Sequence, residues 1–179
     1  MNDTQLRRYE IFVVERPDHP PVHAGSVHAA DDELALLNAR DVFARRPDCL
    51  GLWAFRSEMM TSLTSESPGS SKPMEARARG KEPYLVFGKP GHKGVHTFLG
   101  VAQASSAVGA FEEGRRTYGR GVVAWWVVPE RWRLASTAED AGPMFEPSKA
   151  KPFRDQAFYP VETMMRQLRR GRGSGRGAA

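Results

Sequence analysis

The feature that most constrains this chain is a repeat. The segment "YEIFVV" at Tyr9–Val14 leads through the proline-rich loop "ERPDHPP" into "VHAGSVHA" at Val22–Ala29. The segment "YLVF" at Tyr84–Phe87 starts the same plan 75 residues after Tyr9. Runs of β-branched and aromatic residues read as strands, and the prolines between them mark a loop. After the second strand, Asp31 or Asp32 offers an N-cap oxygen. A helix is predicted from there to about Arg46, with Ala35, Leu36, Ala39, Val42 and Phe43 forming one apolar stripe. Pro47 ends it, and Cys49–Phe55 reads as a third strand. In the second copy "GKPGHKGV" turns the chain, and "HTFLGVAQA" returns as a strand in which Gly100 stands where Gly25 stood and Ala104 where Ala29 stood. Ser106 takes the capping place of Asp31, the stripe is Ala110, Phe111, Gly114, Thr117 and Tyr118, and Val122–Val128 is the third strand. Few letters are shared, but element order, cap, stripe and a strand tryptophan all coincide, which points to duplication of one small module.

A module of this size buries a thin core and leaves sheet edges to protect. Packing two of them together answers both problems. The expected fold is therefore α+β: two small strand–strand–helix–strand modules packed as an intrachain pseudo-dimer. Residues 8–56 form the first module. Residues 57–83, rich in Ser, Pro, Gly and mixed charge, read as a flexible linker. Residues 84–161 are the second, degenerate module with a C-terminal arm whose aromatics are broken by prolines and which reads as extended. Residues 162–179 read as a short helix and a disordered basic tail.

That tail accounts for the charge. Of the formal net charge of +5, all is carried by the arginines of "RQLRRGRGSGRGAA", which holds no acid, so residues 1–165 are neutral. A nucleic-acid-binding domain should carry its basic charge on a folded face, and the tail composition is better explained by a solvated terminal segment than by RNA binding. No apolar run approaches the ~20 residues of a membrane-spanning helix. The N-terminus lacks the apolar core of a secretory signal. The lone Cys49 excludes an internal disulfide and a cysteine-rich zinc site. These features together predict a cytoplasmic protein with no membrane partner.

The chemistry-bearing residues form no catalytic constellation. No His-Glu-x-x-His motif, Walker loop, dinucleotide fingerprint or Gly-x-Ser-x-Gly elbow is present. His23 and His28 are five residues apart on one strand, so simple alternation places them on opposite faces, unable to chelate one ion together. Asp31, Asp32 and Glu33 suit capping and the helix dipole. Cys49 reads as a buried structural thiol. Arg40, Asp41, Arg45 and Arg46 read as a solvated helix face, with partner contact as the sharper alternative. Trp125 and Trp126 must face opposite sides of their strand; one fills the core and the other is assigned to an interface, where tryptophan is enriched.

The first module, "YEIFVV" followed by "HAGSVHAADDELALLNARDVFARR" and a Trp-bearing strand, resembles the phenylacetic acid degradation B family. The run His23, Gly25–Ser26, His28–Ala29, Asp31, Ala35, Asn38–Ala39–Arg40–Asp41 and Arg45–Arg46 carries the resemblance, and the arm "EPSKAKPFRDQAFYPV" is similar to that family's C-terminal segment. Residues 84–128 match only as a degenerate second copy, with Phe98 for His23, Gln103 for His28, Glu113 for Asn38 and Arg116 for Asp41. The resemblance implies a small β-grasp-like roll. It also implies a non-catalytic, bridging subunit of a multicomponent phenylacetyl-CoA epoxidase in aerobic phenylacetate degradation. On this reading the chain has no cofactor of its own. Its partners are the di-iron oxygenase subunits, with the NADPH-, flavin- and iron–sulfur-dependent reductase of the complex as a further candidate. Partner contacts are expected from His23, His28, Asn38, Arg40, Asp41, Arg45 and Trp126, with no catalytic and no metal-binding residue. Two alternatives stand beside it: a nucleic-acid-associated adaptor acting through the arginine tail, and a stand-alone acyl-CoA enzyme using His23 or His28 as general base.

Overall fold

A computed structural model describes residues 6–44, 49–64 and 80–136, together with the single positions Gly142, Phe145, Glu146 and Met165. Its elements run β1 (Arg7–Val14), β2 (Val22–Ala29), α1 (Asp32–Phe43), β3 (Gly51–Arg56), a 3-10 turn (Ser57–Met59), β4 (Thr61–Thr64), β5 (Glu82–Lys89), β6 (Thr97–Ala104), α2 (Ala107–Tyr118), β7 (Ala124–Pro129), a second 3-10 turn (Glu130–Trp132) and β8 (Leu134–Ala135). The class is α+β, with antiparallel strand pairing throughout. Both helices start where their capping residues predict. Asp31 accepts from the Leu34 N–H at 2.8 Å, and Ser106 accepts from the Gly109 N–H at 3.2 Å.

The eight strands form one sheet in the order β4-β7-β5-β6-β2-β1-β3-β8. β1 pairs with β2 and β3; β5 pairs with β6 and β7 in the matching register. Each hairpin carries a bulge at the same place, between Ile11 and Phe12 and between Val86 and Phe87. In the bulged strands, next to the inserted Ala24 and Leu99, stand Gly25, with φ of 147°, and Gly100, with φ of 155°. Glycine is required there for two reasons. Few side-chain-bearing residues adopt that backbone, and a Cβ would sit 2.9 Å from the Phe43 ring at Gly25 and still closer to the Tyr118 hydroxyl at Gly100. The aromatic residue that ends each helix thus packs over the bulge of its own hairpin.

Each helix covers one core. Under α1 lie Tyr9, Ile11, Val27, Ala29, Ala35, Ala39 and Leu52; under α2 lie Tyr84, Val86, Ala102, Ala110, Phe111, Trp125 and Val127. A third core draws on both halves: Phe12, Phe55, Leu85, Phe87 and Val128 are buried together. β1 and β5 are three strand steps apart in the sheet, about 14 Å if the sheet were flat, yet the Phe12 and Phe87 ring centroids are 4.2 Å apart. The sheet therefore folds over at its middle and brings its helix-free faces together. Fully burying a phenylalanine contributes about 1.5–3 kcal/mol, so this central cluster is a large part of what holds the two ends of the sheet to each other.

Several expectations are corrected. The predicted linker is not all linker: residues 57–64 form a 3-10 turn and β4, and β5 begins at Glu82. β4 pairs with β7, with Ser62 opposite Trp126, while β8 pairs with β3 and is extended by Ser136, whose N–H donates to the Leu52 carbonyl at 3.0 Å. The strand after each repeat thus lies on the other repeat. α1 ends at Phe43 rather than near Arg46: the Ala44 N–H still donates to the Arg40 carbonyl at 3.0 Å, but at a ψ of 57° the Ala44 backbone has left the helical region. Val42 and Thr117 do not join the apolar stripes: both are exposed. Phe145 and Glu146 are helical rather than extended, and Phe145 is buried in the core under α1. The rest of the arm, the terminal helix apart from the helical Met165, and the basic tail lie outside the described residues.

Candidate functional site

A polar cluster lies where the two halves meet. Glu10 stands in the otherwise apolar centre of β1 and is buried. One of its carboxylate oxygens accepts from Ser57 Oγ at 2.9 Å and pairs with Arg8 Nε at 2.9 Å. The other lies 2.9 Å from His23 Nε2, and because an ionised carboxylate only accepts, the imidazole donates. Burial pushes this carboxyl up, but the bonds from His23 and Ser57 and the charge of Arg8 outweigh it and hold Glu10 below its ordinary pKa. Across the seam, Trp126 of β7 meets the His23 ring edge-on, with centroids 4.9 Å apart and planes at 85°. His96 stacks on the same indole at 3.7 Å and 10°.

His96 is 9% exposed, and among the described residues its Nε2 has no hydrogen-bond partner. Burial, then the nearby His23 and Lys89, push its pKa down to about 4 against the pull of Glu10, so the ring is neutral near pH 7. The seam itself is closed by backbone: the His23 N–H donates to the His96 carbonyl at 2.9 Å, and the Phe98 N–H donates to the Pro21 carbonyl at 2.9 Å.

At the corresponding end of the other half this cluster is apolar. Leu85 stands where Glu10 does, Phe98 where His23 does, and Trp53 of β3 where Trp126 of β7 does. Trp53 meets Phe98 across the seam at 5.4 Å and 77°, the same edge-on contact that Trp126 makes with His23. The repeated scaffold thus carries two junctions of one shape and opposite polarity.

The residues singled out from sequence divide among separate places. His23 and Trp126 come together at the seam. His28 and Asn38 come together at the outer edge of β2, where Asn38 Nδ2 donates to the His28 carbonyl at 3.1 Å. Arg40 and Asp41 pair with each other on the surface of α1, Nη2 to Oδ1 at 3.0 Å. Arg45 lies outside the described residues.

His23 and His28 are not on opposite faces. His23 is opposite Phe12 and His28 opposite Arg8, two β1 positions of one face; the bulge inserts a residue between them and resets the alternation. They still do not converge, since His28 is exposed while His23 is held by Glu10. Trp125 and Trp126 do face opposite sides: Trp125 is fully buried against Phe111 under α2.

Asp32 is no cap. It accepts from Tyr9 OH at 2.8 Å and takes a two-pronged ion pair from Arg56, which ties α1 to β1 and β3. Cys49 donates weakly to the Gly51 carbonyl, and burial pushes its thiol up to about 11, which makes it a poor nucleophile. A cleft of about 540 Å³ opens beside it, lined largely by Val13, Val22, Ala24, Val42 and Phe43. Among the described residues, no three His, Cys, Asp or Glu side chains are placed to hold a metal ion, and no helix is long and apolar enough to cross a membrane.

Sequence reasoning missed Glu10, Ser57 and His96. The signal for Glu10 was present: it is the one acid within an apolar strand. Ser57 belongs to a segment without periodicity and His96 stands at the very start of a predicted strand, and only the folded seam brings them together.

The family comparison is decided by both halves together. A family model described as "Phenylacetic acid degradation B" matches residues 5–84 and again residues 81–166. The chain belongs to the Phenylacetic acid degradation B family. A relative from Escherichia coli (strain K12), the B subunit of 1,2-phenylacetyl-CoA epoxidase, is 37% identical over 78 residues, which cover 43% of this chain and 82% of the relative. No solved structure matches. Less than half of this chain therefore spans most of that relative, and the two family matches meet at residues 81–84, where β5 opens the second repeat.

Proposed function

We propose that this chain is a non-catalytic, bridging subunit of a multicomponent phenylacetyl-CoA epoxidase acting in phenylacetate degradation, and that its two family units form an intrachain pseudo-dimer. The observation that carries the reading is that both halves match the family of the epoxidase relative, while their strands share one sheet and one aromatic core through Phe12 and Phe87. An object with two related ends suits the joining of larger subunits. Glu10 at the seam is engaged by Arg8, His23 and Ser57, which leaves the carboxylate no spare role as a base. On this reading the di-iron oxygenase and the reductase are separate cytoplasmic subunits that carry the metal and redox cofactors. His23, His28, Asn38, Arg40, Asp41, Arg45 and Trp126 shape the surfaces that meet them.

The test is reconstitution. The oxygenase subunits are purified with and without this chain, and both assembly state and phenylacetyl-CoA epoxidation are measured. Loss of the larger assembly and of turnover without the chain is expected, together with no turnover by the chain alone. An unchanged assembly and rate would overturn the proposal.

A further inference from the structure

The seam between the halves is short, and beyond it one strand edge has no partner among the described residues. β2 and β6 pair only at Val22 and Thr97. Past that point β6 is bonded to β5 on one side and, among the described residues, to nothing on the other. Which backbone groups face outward is fixed by Pro83, which stands opposite Gln103. Proline has no N–H to give, so this is a non-hydrogen-bonded pair, and the N–H and C=O of Gln103 point away from β5. Two residues earlier, Val101 opposite Leu85 is in the same phase. Val101 is 45% exposed, an apolar side chain on an open edge.

The equivalent edge of β2 is guarded. His28, in Gln103's place, has its carbonyl taken by Asn38. On α2 the residue in Asn38's place is Glu113, which has no proton to give and is paired with Arg116. Natural sheets cover, charge or shorten their edges to prevent strand pairing; here Asn38 blocks the His28 carbonyl on one edge, and among the described residues no side chain does the same for Gln103 on its duplicate.

We propose that the edge of β6 at Val101–Gln103 is a docking strand for an extended segment of another subunit of the epoxidase, added to the sheet by backbone hydrogen bonds, with an apolar side chain against Val101. The occupant follows from the edge itself. A row of outward N–H and C=O groups matches, group for group, the edge of a second extended backbone. The added strand would continue the ladder that Val22 begins on Thr97, inside the opening between β2 and β6. This rests on the subunit reading above.

The test uses the full-length chain with the purified oxygenase subunits. Gln103→Pro removes an outward N–H without breaking a bond to β5, as Pro83 already does across the ladder; Val101→Lys places a charge on the same edge. Circular dichroism and melting check that both fold. Loss of the edge bonds should weaken binding by about tenfold or more, and amide exchange at Val101 and Gln103 should slow in the wild-type complex. Binding by either folded variant as tight as wild type, with no exchange protection, overturns the docking strand but leaves the subunit reading intact. Failure of the wild type to bind any oxygenase subunit overturns both. Self-association of the wild type that both variants abolish would make a second copy the occupant and overturn the assignment to another subunit.

Discussion

Phe12 and Phe87 hold the same position in the two repeats, 75 residues apart, and their rings meet at 4.2 Å with planes tilted by 33°. Phe55 touches both, at 5.7 Å and 5.6 Å. The centre of the molecule is therefore made from one residue used twice, and neither repeat can bury it alone.

Truncating that contact should loosen the whole chain rather than one half. Phe12→Ala or Phe87→Ala is expected to cost about 3–5 kcal/mol, since each ring is fully buried. The double variant should fall short of additivity by about 0.5–1.5 kcal/mol, the size of a direct aromatic coupling. Denaturant unfolding followed by circular dichroism and by tryptophan fluorescence checks this, and a wild-type transition that splits in two would contradict a shared core.

His96 makes stability depend on pH in a defined window. Its pKa is about 4 in the folded chain and 6.5 as the ordinary value. Between these values the unfolded chain binds a proton and the folded chain does not, so stability falls as the pH is lowered through that range. The total is about 3 kcal/mol. Glu10 acts lower: its folded pKa is depressed below 4.5, so its contribution is present above that value and is lost only as the pH falls further. His96→Phe keeps a ring on Trp126, removes the buried titratable nitrogen, and should flatten the slope between pH 6.5 and 4 in urea titrations.

The duplication, both helices, their caps and most of the strands were legible because local chemistry specifies them. Asp31 and Ser106 are good caps wherever they fall, and an apolar stripe of period 3.6 marks a buried helix face. β4 and β8 were not legible. "TSLT" sits in a Ser-rich run, and "LA" is too short to carry a pattern; both become strands because β7 and β3 present edges to them. The faces of His23 and His28 were misread for a related reason. Period-2 alternation holds only until a bulge, and the glycine that permits the bulge names the place without showing the inserted residue. The seam cluster combines Glu10, Ser57, His96 and Trp126, and no window of sequence contains them together.

The bulge glycines should resist substitution. Gly25→Ala must force a side chain into a positive-φ backbone 2.9 Å from Phe43, and Gly100→Ala does the same closer still to Tyr118. A cost of about 1–3 kcal/mol is expected at each, larger at Gly100. Thermal melts rank the two.

The polar and apolar junctions allow the seam's fold and its function to be separated. His23→Phe alone takes a donor from a buried carboxylate, leaving Glu10 with Ser57 and Arg8, and should destabilise by about 1–3 kcal/mol. Glu10→Leu alone strips His23 of its acceptor. The double variant Glu10→Leu/His23→Phe copies what Leu85 and Phe98 already do beside Trp53 at the other end. Because both members of a buried pair are then replaced by apolar groups of similar shape, its stability should return to within about 1 kcal/mol of wild type. A stable double variant that no longer joins the oxygenase subunits would assign the polar junction to partner recognition. One that assembles as well as wild type would show that Glu10 and His23 serve the fold alone, and would remove His23 from the partner-contact residues.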